Sequence, residues 1–144
     1  MKKRPVRTLG FTLIELVVAI CVVGILAAIA IPGYLSNVRT TNRTDATRTM
    51  TIDAQALERC YSQTFTYAGC APAPAGTSTS AQGYYTISIA IGTSPASFTI
   101  TATPAANPQL ADASCASFAL NSAGTQGATN SSNADNTKTC WGST

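Results

Sequence analysis

Residues 11–31 read FTLIELVVAICVVGILAAIAI, a run of 21 residues whose only polar side chains are Thr12 and Glu15. A helix of that length rises about 30 Å, the hydrocarbon thickness of a bilayer. The run is apolar on every face, which argues against a helix lying in the membrane surface. Ahead of it stands MKKRPVRTLG, with Lys2, Lys3, Arg4 and Arg7. The positive-inside rule keeps such a segment cytoplasmic and sends the rest of the chain outward. An ordinary secretory signal would want small residues after the apolar core, and Ala27, Ala28 and Ala30 could supply them. Glu15 near the start of the core speaks against that alternative.

The 144 residues leave room for one domain beyond this helix. The formal charge of +3 comes from the leader: without its four basic residues, five basic residues face six acidic ones, a balance of 5 − 6 = −1. Past Ser62 the charges are Asp112, Asp135 and Lys138. A nucleic-acid binder needs clustered Lys and Arg to neutralise phosphates, so nucleic acid is not an expected partner. His is absent from the sequence, which rules out a Ser-His-Asp arrangement and removes the commonest general base and metal ligand. The reading is a non-enzyme with no cofactor and no metal.

Five cysteines occur. Cys21 lies inside the apolar run, a small buried or lipid-facing residue. Cys60, Cys70, Cys115 and Cys140 lie in the polar remainder, and an even number there implies two disulfides made in an oxidising compartment. Three connectivities are possible; Cys60–Cys70 with Cys115–Cys140 is favoured because each closes a local loop.

From residue 34 to 61 there is no further Pro or Gly, and Ala46, Met50, Asp53, Leu57 and Cys60/Tyr61 recur at near-helical spacing, with Leu35, Val38, Ile52 and Ala56 widening the stripe. One long helix is expected, kinked at Pro32, with its second half laid on a globular head. Asp45 and Asp53 are expected to partner helix arginines, Asp45 with Arg48 at i, i+3. Residues 71–82 (APAPAGTSTSAQ) read as a loop. Tyr85, Ile87, Ile89 and Ile91 alternate with polar or small residues as a strand. Phe98, Ile100 and Ala102 form a second strand, residues 115–120 a third, and residues 124–129 a short fourth. The expected class is α+β: a long N-terminal helix, first transmembrane and then amphipathic, packed on a small antiparallel sheet. Its parts are residues 1–10 as leader, 11–32 as membrane helix, 33–62 as amphipathic half, and 63–144 as disulfide-bonded head.

The run Gly10-Phe11-Thr12-Leu13-Ile14-Glu15, between a basic leader and a long apolar helix, resembles the signal of type IV prepilins and pseudopilins. That resemblance implies cleavage between Gly10 and Phe11 by a prepilin peptidase, which also N-methylates the new Phe11 amine. It implies pairing of Glu15 with that amine on a neighbouring subunit. It places Gly24 and Pro32 where pilins carry helix-softening residues. The segments around Cys60–Cys70 and from Cys115 to Cys140-Trp141 resemble small minor pilins of type IVa systems. Implied partners are other pilin subunits, the prepilin peptidase and an inner-membrane assembly platform. The implied location is the bacterial inner membrane, single-pass with a periplasmic head, then an extracellular pilus, a setting for cell adhesion. Two alternatives stand beside it: a type II secretion pseudopilin, and a plain membrane-anchored envelope protein. A calcium site of the pseudopilin kind would draw on Asp112, Asn133, Asp135 and Asn136, although Asp135 and Asn136 suit turns better.

Physics independent of the resemblance singles out the same acid. A carboxylate in hydrocarbon costs at least a few kcal/mol and is usually partnered. No Lys or Arg lies between Arg7 and Arg39, so an amine freed at Phe11 is the cation nearest in sequence. A bland alternative leaves Glu15 solvated at headgroup level. Gly10→Val should leave the chain at its full precursor mass in cells, read by mass spectrometry; normal trimming of that variant would exclude the junction.

Overall fold

The computed structural model describes residues 11–72, 76–93 and 96–142. The chain divides into two compact units, Met1–Ser36 and Asn37–Thr144. Helix α1 (Leu13–Thr64) belongs to both and contains Pro32. In the first unit its apolar side chains are bare: Leu13 is 81 % exposed and Ile29 75 %. Such a surface in water would be costly at roughly 25 cal/mol per Å², so this helix is built to be covered by lipid or by other chains.

The second unit is a head of helix and sheet. Strands β1 (Thr77–Thr79), β2 (Tyr85–Thr93), β3 (Ala96–Pro104), β4 (Ser117–Asn121) and β5 (Gln126–Thr129) form one antiparallel meander in sequence order. The period-two pattern puts one side chain of each pair inward. Ile87 stands opposite Ala102, Ala102 opposite Phe118, and Phe118 opposite Ala128, so one row of core residues crosses four strands. Ile100 and Leu120 pair in the next row. These side chains join Ala46, Met50 and Leu57 of α1 in a single apolar cluster. The opposite face carries Thr86, Thr99, Thr101 and Thr103, as expected of a sheet with one wet side.

Tyr67 stacks on Tyr61 at 4.5 Å and meets Phe98 edge-on at 5.1 Å. Its hydroxyl donates to Glu58 Oε1 at 2.9 Å. At the other end of the cluster Tyr85 meets Phe118 edge-on at 5.6 Å. A short helix α2 (Thr137–Trp141) closes the chain. Its Trp141 meets Phe118 at 6.1 Å and donates from Nε1 to the Gly127 carbonyl at 2.9 Å. Cys60 is bonded to Cys70 and Cys115 to Cys140, over sequence separations of 10 and 25. The first ties the end of α1 to the segment leading to the sheet, the second ties the start of β4 to α2.

Several sequence expectations need correction. The loop expected over residues 71–82 contains edge strand β1, whose three residues are all exposed, so it has no apolar alternation to betray it. Ile52, placed on the apolar stripe, is 53 % exposed. Asp45 does not pair with Arg48. It is buried and accepts from Ser80 Oγ at 2.5 Å and from the Gln82 amide at 3.0 Å, while Ser80 Oγ accepts from the Tyr85 amide at 2.9 Å. Arg43, not a near neighbour on the helix, holds the other acid: its Nε and Nη2 reach the two Asp112 oxygens at 2.8 and 2.9 Å. That is the one ion pair among the described residues. Asp53 is half-buried, and burial pushes its carboxyl above the usual range.

Removing the Asp45 carboxylate strands a hydroxyl and an amide in the interior. Asp45→Ala should therefore cost about 1–3 kcal/mol in urea melts of the full chain in detergent, with Ser80→Ala smaller but in the same direction. An unchanged midpoint would contradict this role. Tyr67 supplies a pH test. Burial first, then the Glu58 hydrogen bond, pushes its phenol from 10.0 up to about 12. The folded state thus favours the protonated form. That contribution is whole below pH 10 and fades as pH rises towards 12. Tyr67→Phe should flatten the loss of stability across that window.

Candidate functional site: the N-terminal segment

The residues singled out as a processing and assembly site lie in the first unit, at the start of α1. Gly10 falls outside the described residues. Phe11 precedes α1 and is 85 % exposed. Thr12 is the residue before the first helical position, and its Oγ1 accepts the Glu15 amide at 3.3 Å. Its carbonyl accepts the Leu16 amide at 3.2 Å, the first bond of the ladder. The pattern Thr12-x-x-Glu15 is therefore the first half of a capping box. Sequence reasoning passed over it, though Thr followed three residues later by Glu before an apolar run is its recognised signature.

This geometry places Glu15 in the first turn of α1, exposed. The unpaired amides of that turn carry the positive end of the helix dipole, which favours an acid there. The cap fixes the Glu15 backbone one turn from Phe11. Among the described residues, no Lys or Arg stands in the first unit, since the next cation along the chain is Arg39. Gly24 and Pro32 both lie inside α1; a Cβ at Gly24 would meet nothing within 4 Å. Pro32 has no amide to give the carbonyl one turn before it, so the ladder lacks one bond there. Helix α1 is long and apolar enough to cross a membrane.

The four disulfide-bonded cysteines and the calcium candidates belong to the second unit, while the free Cys21 lies in the first, exposed on α1. Asp112 is engaged with Arg43 and the Ser114 amide. Asp135 accepts from Thr137, whose hydroxyl and amide hold its carboxyl below the usual range. Asn136 Nδ2 donates to the Ser114 carbonyl, and Asn133 sits at a positive φ of 59°. These side chains organise turns.

A bare apolar helix, capped ahead of an acid in its first turn and continued into a disulfide-bonded head, is the arrangement of a type IV pilin. Residues 7–31 match the prokaryotic N-terminal methylation motif, and with the apolar helix they fit a membrane-anchored pilin precursor. Residues 32–119, more than half of the chain, match the family described as "Type IV minor pilin ComP, DNA uptake sequence receptor". The chain belongs to this family and is a type IV pilus minor pilin. A solved type IV pilin from Shewanella oneidensis is 30 % identical, with 61 % of this chain and 89 % of that one covered and a TM-score of 0.48. No curated protein matches the chain.

Proposed function

We propose that the precursor inserts with residues 1–10 in the cytoplasm and its head in the periplasm, is cut between Gly10 and Phe11 by a prepilin peptidase, and is methylated on the new Phe11 amine. Through the assembly platform the subunit then leaves the membrane for an extracellular pilus, as a structural component and not an enzyme. The observation that carries this reading is the position of Glu15. It is the one acid of residues 11–31, its amide held by the Thr12 cap one turn from Phe11. In the filament its carboxylate pairs with the Phe11 amine of a neighbouring subunit. Moving an apolar helix from lipid into a helical core brings little hydrophobic gain, so close packing and this charge pair set the register. Gly24 and Pro32 are the points at which α1 yields during that transfer. Glu15→Ala should leave cleavage intact and lower the chain in sheared fibres severalfold; wild-type incorporation would remove the charge pair.

The family description favours a second reading, DNA capture at the pilus surface. The head carries five cations (Arg39, Arg43, Arg48, Arg59, Lys138) against five acids (Asp45, Asp53, Glu58, Asp112, Asp135). Arg43 is held by Asp112. The exposed Arg48 lines a groove with Trp141, and Lys138 shares α2 with that tryptophan. With so few cations to spend on phosphates, binding must rest on base contacts more than on counterion release. Filter binding of duplex DNA by the full chain should then show a log K against log salt slope of about −2. No retention at low salt would exclude DNA as a ligand.

A further inference from the structure

Two adjoining cavities of the head, of about 420 and 190 Å³, share Thr44, Thr47 and Trp141 in their linings. Together they make one open groove between α1 on one side and α2, with Gln126 of β5, on the other. The larger cavity is within the roughly 300–1,000 Å³ usual for small-molecule sites. Trp141 is half-buried and its indole is fixed, since Nε1 donates to the Gly127 carbonyl at 2.9 Å and Phe118 meets the ring edge-on. With that N–H spent, the indole has only its ring to offer the groove. The exposed Ile52 adds an apolar side chain to the same lining.

The helical wall has a definite hydrogen-bond sense. The hydroxyls of Thr44, Thr47 and Thr51 donate to the carbonyls of Thr41, Thr44 and Thr47 at 2.6, 3.4 and 2.7 Å. Each has given its proton to α1, and what it keeps is acceptor lone pairs. Donors come from Arg48 and Gln126, both exposed, and Arg48 stands outside the one ion pair of the described residues. A phosphate only accepts, so the threonine row gives it nothing to bind. A sugar ring uses every group in the groove: its hydroxyls donate to the threonines and accept from Arg48 and Gln126, and its C–H face lies on the indole. An N-acetyl group adds a methyl for Ile52 and an amide N–H for the threonine row.

We propose that this groove binds a neutral oligosaccharide of N-acetylhexosamine units, stacked on Trp141. From Thr44 to Ile52 the helical wall rises about 12 Å, room for a di- or trisaccharide. The site lies wholly within the second unit and does not depend on cleavage at Phe11.

Trp141 is the one tryptophan of the chain, so it reports on its own site. The full chain, kept in a zwitterionic detergent that has no sugar headgroup, is titrated with tri-N-acetylchitotriose. The expected result is a saturable change in tryptophan emission with the same midpoint at low and high salt, because an uncharged ligand has no screened attraction to lose. Thr51→Val keeps the shape of an exposed side chain and removes one acceptor; it should weaken binding about fivefold with the circular dichroism unchanged. Gln126→Ala, on the far wall, should weaken it likewise. No saturable change, or one midpoint shared by the unaltered chain and both variants, overturns the proposal. Duplex DNA that displaces the saccharide and shifts the emission itself overturns it too, and assigns the groove to nucleic acid.

Discussion

Between Arg7 and Arg39 the sequence places one ionisable acid, Glu15, and no side chain of opposite charge. Within hydrocarbon or within a packed helical core a lone carboxylate costs several kcal/mol unless it is paired. The chain supplies the helix dipole and the Thr12 cap on its own, and neither neutralises the charge. In the processing proposed above, a positive chain end freed at Phe11 does. Under that proposal cleavage and assembly are linked, because trimming gives each subunit both halves of a pair.

The head solves a different problem. Its core is small, and half of α1 must stay seated on a short meander. Few apolar side chains of the helix reach the cluster, with Ala46, Met50 and Leu57 as its buried members. Polar clamps make up the difference at the end where α1 enters the head: Asp45 holds the turn before β2 through Ser80 and Gln82, and Arg43 holds Asp112. At the far end the clamp is covalent, Cys60 to Cys70, with Tyr61 and Tyr67 stacked between them. A third tie, Cys115 to Cys140, brings Trp141 over β5. Closing short loops of this kind stabilises chiefly by restricting the unfolded chain, which suits a domain too small to rely on its core.

How much of this was legible depends on how local the signal is. The apolar run, the alternation of Tyr85, Ile87, Ile89 and Ile91, and the spacing of Ala46, Met50 and Leu57 are written in consecutive residues and emerge as read. The N-terminal signature was equally plain, since Gly10, Phe11 and Glu15 stand in register with a long apolar helix. What could not be read is tertiary. Nothing near Asp45 in sequence says that its partner is Ser80, and Arg43 lies 69 residues from Asp112. The i, i+3 rule offered Arg48 instead, because a local rule knows only local partners. Strand β1 was hidden for a similar reason: Thr77–Thr79 is an exposed edge, so its backbone pairing leaves no apolar trace.

The proposed pairing of Glu15 needs a charge made at a new chain end. Intact-mass and fragment-ion spectra of the subunit taken from sheared fibres address it directly. The account predicts a polypeptide that begins at Phe11 with a methylated amine and lacks all ten preceding residues. A subunit found in fibres with any other first residue, or with residues 1–10 still attached, would leave Glu15 without its partner and contradict the mechanism.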